Sequence, residues 1–136
     1  MADDVLLNKA ATIERCVSRA RQEYEHDPAS FSTDFTRQDA AVLNVQRACQ
    51  AALDMGQHIV RKHKLGVPQS ARDVFALLAR AGWIEPALAK SLQRMVAFRN
   101  IAVHDYQNLV LPIVESVITQ HLEEFLEFTR VVIKHP

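Results

Sequence analysis

The sequence predicts an all-α fold, a single up-and-down bundle of about five helices making one domain over residues 1–136. Three observations predict it. Apolar residues recur at three- and four-residue spacing through long runs, the period of a helix with one buried face. Breakers are sparse, with Gly 3 and Pro 5 in the whole chain. Most of them fall between the periodic runs rather than inside them.

The first helix runs from about Asp3 to Tyr24 on Val5, Leu6, Ile13, Val17 and Ala20. His26-Asp27-Pro28 ends it, because the residue before proline resists the helical region. Ser30 to Asp34 is a polar connector, and Thr36-Arg37-Gln38-Asp39 reads as a capping box in its acidic form. The second helix then runs from about Arg37 to His63 on Val42, Val45, Cys49, Ala52, Leu53, Ile59 and Val60. Gly56 inside it allows either a close helix contact or a kink, and Gly66 is the expected C-cap. Ser70-Ala71-Arg72-Asp73 is a second capping box, opening a short helix with Val74, Phe75, Leu77 and Leu78 that Gly82 stops. Pro86 suits the first turn of a fourth helix ending near His104. The last helix begins within Gln107 to Pro112 and reaches about Ile133 on Ile113, Val117, Leu122, Phe125, Phe128 and Val132. No internal repeat or interdomain linker interrupts the series.

Composition excludes several classes. Hydrophobic residues at 49% with charged residues at 24% supply a core and argue against disorder. Sixteen basic residues balance sixteen acidic ones, so any nucleic acid must be met by a local patch, not a basic coat. With three glycines there is no phosphate-cradling loop. Cys16 and Cys49 lack a CxxC partner and read as small buried residues of a reducing compartment. The acidic start, without a signal-type apolar segment, and the lack of any run of ~20 apolar residues point to the cytoplasm and no membrane.

His58 and His63 stand five apart, where metal-binding helical histidines prefer three or four, so no metal site is expected; no cofactor is expected either. The basic run His58 to Lys64 reads as a cation-decorated helix C-terminus, with an RNA-phosphate patch as the alternative. Glu115, Glu123, Glu124 and Glu127 form a solvated acidic face from which one member could reach Arg99. Tyr24 and Trp83 are read as core or edge aromatics.

One residue breaks the pattern. At ~100° per residue, Leu88, Leu92, Met95, Val96 and Val103 fall on one stripe of the fourth helix, and Arg99 falls near its middle. A charge there is costly unless it is paired or reaches water. Arg99 and His104 are five apart and point ~140° away from each other on one helix. They meet only where the helix ends or where a two-fold partner supplies the complement. Asn100 and His104 are four apart and share a face, so the amide can orient the imidazole.

Arg99-Asn100-x-x-x-His104-x-Tyr106, late in an all-helical chain of this length, resembles the HEPN superfamily, in particular the HepT-like toxins of HEPN/MNT toxin–antitoxin pairs. The resemblance covers the whole chain. It implies a homodimer with Arg99, Asn100 and His104 lining a shared catalytic cleft. It also implies metal-independent RNA cleavage and a type VII-like partnership. In that partnership a minimal nucleotidyltransferase (MNT) antitoxin adenylylates Tyr106. In such a cleft, His104 of each chain serves as base or acid while a 2′-hydroxyl attacks the adjacent phosphate. Arg99 stabilises the phosphorane, and Asn100 fixes the histidine tautomer or donates to phosphate. Tyr106 stands just past the helix end, and an AMP group there would fill the cleft and repel RNA. The alternative is a noncatalytic nucleotide- or partner-binding module that regulates the nucleotidyltransferase.

Overall fold

In the computed structural model, which describes residues 3–135, Asp3 starts the first helix as its N-cap. Met1, Ala2 and Pro136, the ends of the expected domain, lie outside the described residues. The Asp3 carboxylate accepts from the backbone N–H of Val5 at 2.9 Å and of Leu6 at 3.4 Å, satisfying two orphan donors of α1 (Asp4–Glu25). α2 (Phe35–Lys62) runs antiparallel to it. The start of α1 meets the end of α2 where Asp3 pairs with His58 at 2.8 Å and Lys62 at 2.9 Å. Lys9–Asp54 at 3.1 Å lies between, and Glu23–Arg37 at 2.9 Å closes the other end.

The cap of α2 is not the expected Thr36 box. Asp34 accepts from the Arg37 N–H at 3.1 Å, and the helix starts at Phe35. Aspartate is the stronger N-cap, so it claims the position and leaves Asp39 free for another contact. The far end also differs from expectation. Lys64, at φ 54, takes the left-handed position. The Leu65 N–H then reaches Val60 O at 3.0 Å and the Lys64 N–H reaches Arg61 O at 3.4 Å, a Schellman closure whose left-handed residue stands two positions before Gly66.

Gly56 gives close approach, not a kink, for α2 is continuous. A Cβ at Gly56 would stand 2.6 Å from Val74 Cγ1 of α3 (Ala71–Arg80). Ser70 caps α3 as expected, accepting from Asp73 N–H at 3.2 Å. Gly82, at φ 82, stops it with a second Schellman closure, Trp83 N–H to Leu78 O at 2.9 Å.

α4 (Pro86–His104) carries the motif. The chain after it departs from the predicted single helix. A 3₁₀ turn spans Tyr106–Asn108, where Asp105 accepts from Gln107 at 3.0 Å and Asn108 at 2.6 Å. These bonds hold the chain in a turn, so α5 begins only at Leu111 (Leu111–Ser116). A π turn, Val117–His121, then joins α5 to α6 (Leu122–Lys134). There the Thr119 hydroxyl donates to Glu115 O at 2.8 Å, competing for a carbonyl of the helical ladder. Counting α5 and α6 as one interrupted rod, five helices make the bundle, and no strand occurs among the described residues.

The rods enclose one core in which Ile13, Leu53, Leu78, Leu92, Phe125 and Phe128 are fully buried. Phe75 and Phe128 meet edge to face at 5.6 Å. Trp83 lies between His63 at 4.9 Å and His135 at 3.7 Å, and Tyr24 packs on buried Phe31 at 5.1 Å. Among the described residues no helix is long and apolar enough to cross a membrane. Cys16 and Cys49 are free and buried, as expected.

Candidate active site

Arg99 sits on the buried face of α4, among Leu92, Met95, Val96 and Ala102. Its Nη1 donates to Gln50 Oε1 of α2 at 3.0 Å, while its Nε is buried with no acceptor. The guanidinium also lies near the Cys49 thiol: burial pushes that thiol up to about 12, against the opposing charge of Arg99. The acidic face does not reach Arg99. Glu123 pairs with Arg21 at 3.5 Å and Glu124 bonds His121 at 2.9 Å, which leaves Gln50 as the partner.

Asn100 and His104 are both exposed. Neither side chain makes a hydrogen bond or ion pair among the described residues, so the expected amide-to-imidazole contact is not formed. Val103, expected on the apolar stripe, is 45% exposed. α4 ends at His104, with Asp105 as its C-cap. The structure therefore assembles the four motif residues at one helix end but does not bring Arg99 and His104 into contact within one chain.

Tyr106 is 43% exposed, and its hydroxyl donates to the Asp39 carboxylate of α2. Burial, followed by that hydrogen bond, raises the phenol to about 12. In the sequence Asp39 was read only as the acidic end of a capping box, and Gln50 was not singled out. Both belong to the α2 face that meets α4 and its C-terminal turn, and neither stands near the motif in the chain.

The basic run sits toward the other end of α2. His58 and Lys62 bind Asp3, and His63 packs on Trp83, which favours the structural reading over a phosphate patch. Among the described residues no group of three His, Cys, Asp or Glu side chains is placed to hold a metal ion. An apolar groove of about 360 Å³ lies between α4 and α5, lined by Met95, Phe98, Leu109, Val110 and Ile113, with none of the four motif residues in its wall.

An all-helical bundle displaying Arg-Asn-x-x-x-His-x-Tyr at a helix end is the arrangement on which the resemblance to the HEPN superfamily rests. The chain belongs to the ribonuclease HepT-like family, whose model matches residues 13–132. It is 49% identical over 130 residues to the mRNA nuclease HepT of Shewanella oneidensis, covering 96% of this chain and 97% of that protein. A solved toxin–antitoxin structure with AMP-PNP superposes with a TM-score of 0.92 at 48% identity, covering 96% of this chain and 98% of that one. The tri-AMPylated Shewanella oneidensis HEPN toxin in complex with MNT antitoxin superposes at 0.91 with 49% identity, covering 96% and 97%.

Proposed function

We propose that the chain, acting as one helical domain, is the toxin of a toxin–antitoxin pair. It is a metal-independent endoribonuclease silenced when a minimal nucleotidyltransferase antitoxin adenylylates Tyr106. The observation that carries the reading is the display of Arg99, Asn100, His104 and Tyr106 at one helix end, in a chain whose sequence is 49% identical to an mRNA nuclease.

The active form is a homodimer. Val103 occupies nearly the same angular position on α4 as Leu92 and Val96, which are 0% and 1% exposed, yet Val103 itself is 45% exposed. Leu43 of α2 is also exposed, at 41%. A second copy packed on this face would cover both and place one chain's His104 opposite the other's Arg99. The 2′-hydroxyl of RNA then attacks the adjacent phosphate, leaving a cyclic phosphate and a 5′-hydroxyl. One His104 accepts the proton and the other donates to the leaving oxygen. Arg99 neutralises charge on the phosphorane. Asn100, unpartnered beside His104, donates to phosphate or fixes the imidazole. The compartment is the cytoplasm, where RNA and the antitoxin are found together.

The test is RNA cleavage by purified protein in excess chelator, wild type beside His104→Ala. The reading requires cutting by wild type and a loss of about 10²-fold or more in the variant. Equal cutting by both overturns the assignment of His104. Tight antitoxin binding without cutting by unmodified wild type identifies a noncatalytic regulatory module instead.

A further inference from the structure

A groove of about 470 Å³ runs between α1 and α2, on the face that carries Gln50. Arg15 and Arg19 of α1 and Arg47 of α2 line it, together with Thr12, Gln50 and Asp54. Arg19 has a long ion pair with Glu23 at 3.7 Å, and Lys9 is held by Asp54 at 3.1 Å. Arg15 and Arg47 are exposed and make no ion pair or hydrogen bond among the described residues. Both lie close enough to the buried Cys16 thiol to oppose the rise that burial imposes on it. Two free guanidiniums from different helices thus line one groove, and Gln50, whose amide nitrogen donates to the Lys9-paired Asp54 at 3.0 Å, accepts from Arg99 through its oxygen.

We propose that this groove holds the phosphates of the RNA strand and leads it to Arg99. The inference rests on the nuclease reading. A chain of net charge +0 has no general attraction for RNA, so affinity must come from a local cluster. Guanidiniums bind phosphate oxygens in a two-pronged geometry that ammonium groups lack. The groove shares Gln50 with Arg99, and its concave shape fits an extended strand better than a flat protein partner.

The experiment compares wild type with Arg15→Gln/Arg47→Gln, using a long oligoribonucleotide and a dinucleotide too short to span the groove. Expected is a KM about tenfold higher for the long substrate at unchanged kcat, with its salt dependence flattened by about 1 in slope. Cleavage of the dinucleotide stays at the wild-type rate, which reports an intact fold. An unchanged KM and salt slope overturn the proposal. So does an unchanged KM with weakened antitoxin binding, which would assign the groove to the protein partner. A wild type that cuts no RNA instead overturns the nuclease reading on which the proposal stands.

A different observation carries a second inference. The Tyr106 hydroxyl already points its proton at Asp39. We infer that Asp39 accepts that proton during nucleotidyl transfer, a role that rests on Tyr106 being the acceptor. A bond forms from Tyr106 Oη to the α-phosphorus of a nucleoside triphosphate held by the antitoxin. The bond from that phosphorus to pyrophosphate breaks, and the proton passes to Asp39 and then to solvent. A neutral phenol is a weak nucleophile, and this one is harder to ionise than a free tyrosine, so a waiting base matters.

Transfer is followed by intact mass with antitoxin and ATP. Expected are kcat losses of about 10²-fold in both Asp39→Asn and Asp39→Ala at unchanged KM for the toxin, with partial recovery in Asp39→Glu. RNA cleavage by the unmodified variants stays at the wild-type level. A wild-type transfer rate in Asp39→Asn overturns the inference, because the amide keeps the hydrogen bond but cannot take the proton. Undiminished modification of Tyr106→Phe overturns the acceptor assignment instead.

Discussion

Arg99 of α4 donates from Nη1 to Gln50 of α2 at 3.0 Å while its Nε lies buried without an acceptor. The guanidinium is anchored on one side only. A buried donor without a partner is costly to keep, and such groups concentrate at working sites. The spare donors suit the charge that develops on phosphate oxygens.

Arg99→Lys is therefore expected to lower RNA cleavage by about 10²-fold or more, since a point charge replaces a fork. Stability should change by no more than about 1 kcal/mol, because one partly exposed hydrogen bond is lost. Cleavage rate and thermal melting on the same preparation check both statements.

Lys64→Gly is expected to stabilise the fold by about 1 kcal/mol. Lys64 carries a Cβ at φ 54, a conformation that glycine adopts freely. The same closure on α3 already has Gly82. A rise in the denaturant midpoint at constant m-value is the result that checks it.

Gly56→Ala has two opposing terms. Alanine favours the helix interior by about 1 kcal/mol. The new Cβ would stand 2.6 Å from Val74 Cγ1, and valine is stiff at χ1. Overpacking of this kind costs about 1–3 kcal/mol, so net destabilisation is expected, read as a lower melting temperature.

Asp3 gives the pH dependence. His58 first, and then Lys62, hold its carboxyl well below the usual carboxylate range. A depressed folded-state pKa gives stability that is present above the unfolded value of about 3.9 and lost as pH falls toward the folded one. Asp3→Asn should therefore melt below wild type at pH 7, and the gap should close as the pH drops below about 4. Melting curves from pH 7 to pH 2 measure it.

The helices and the motif were legible in the sequence because both are local signals. Apolar period places α1 to α4 to within a few residues, and Arg99 announces itself as a charge inside that period. Other features were hidden. Asp39 meets Tyr106 across 67 residues, and no spacing rule spans that distance. Val103 has the right angle to be buried, but a helical wheel records direction, not how far a neighbouring helix reaches. The π turn in the last rod follows from Thr119 competing for a carbonyl, a contest that hydrophobic period does not register. Asp34 over Thr36, and Lys64 over Gly66, were choices between adjacent candidates that only the backbone path decides.

The α1–α2 pair has a consequence in time. Its ends are fastened by contacts between segments that follow one another directly in the chain, Glu23 to Arg37 at one end and Asp3 to Lys62 at the other. Helical bundles built from such near neighbours reach the native state in microseconds to milliseconds, far faster than a ribosome adds residues. A newly made chain of this design is folded almost as soon as it is released, so the meeting of two copies that the proposed cleft requires, a step that depends on concentration, sets the pace of arming.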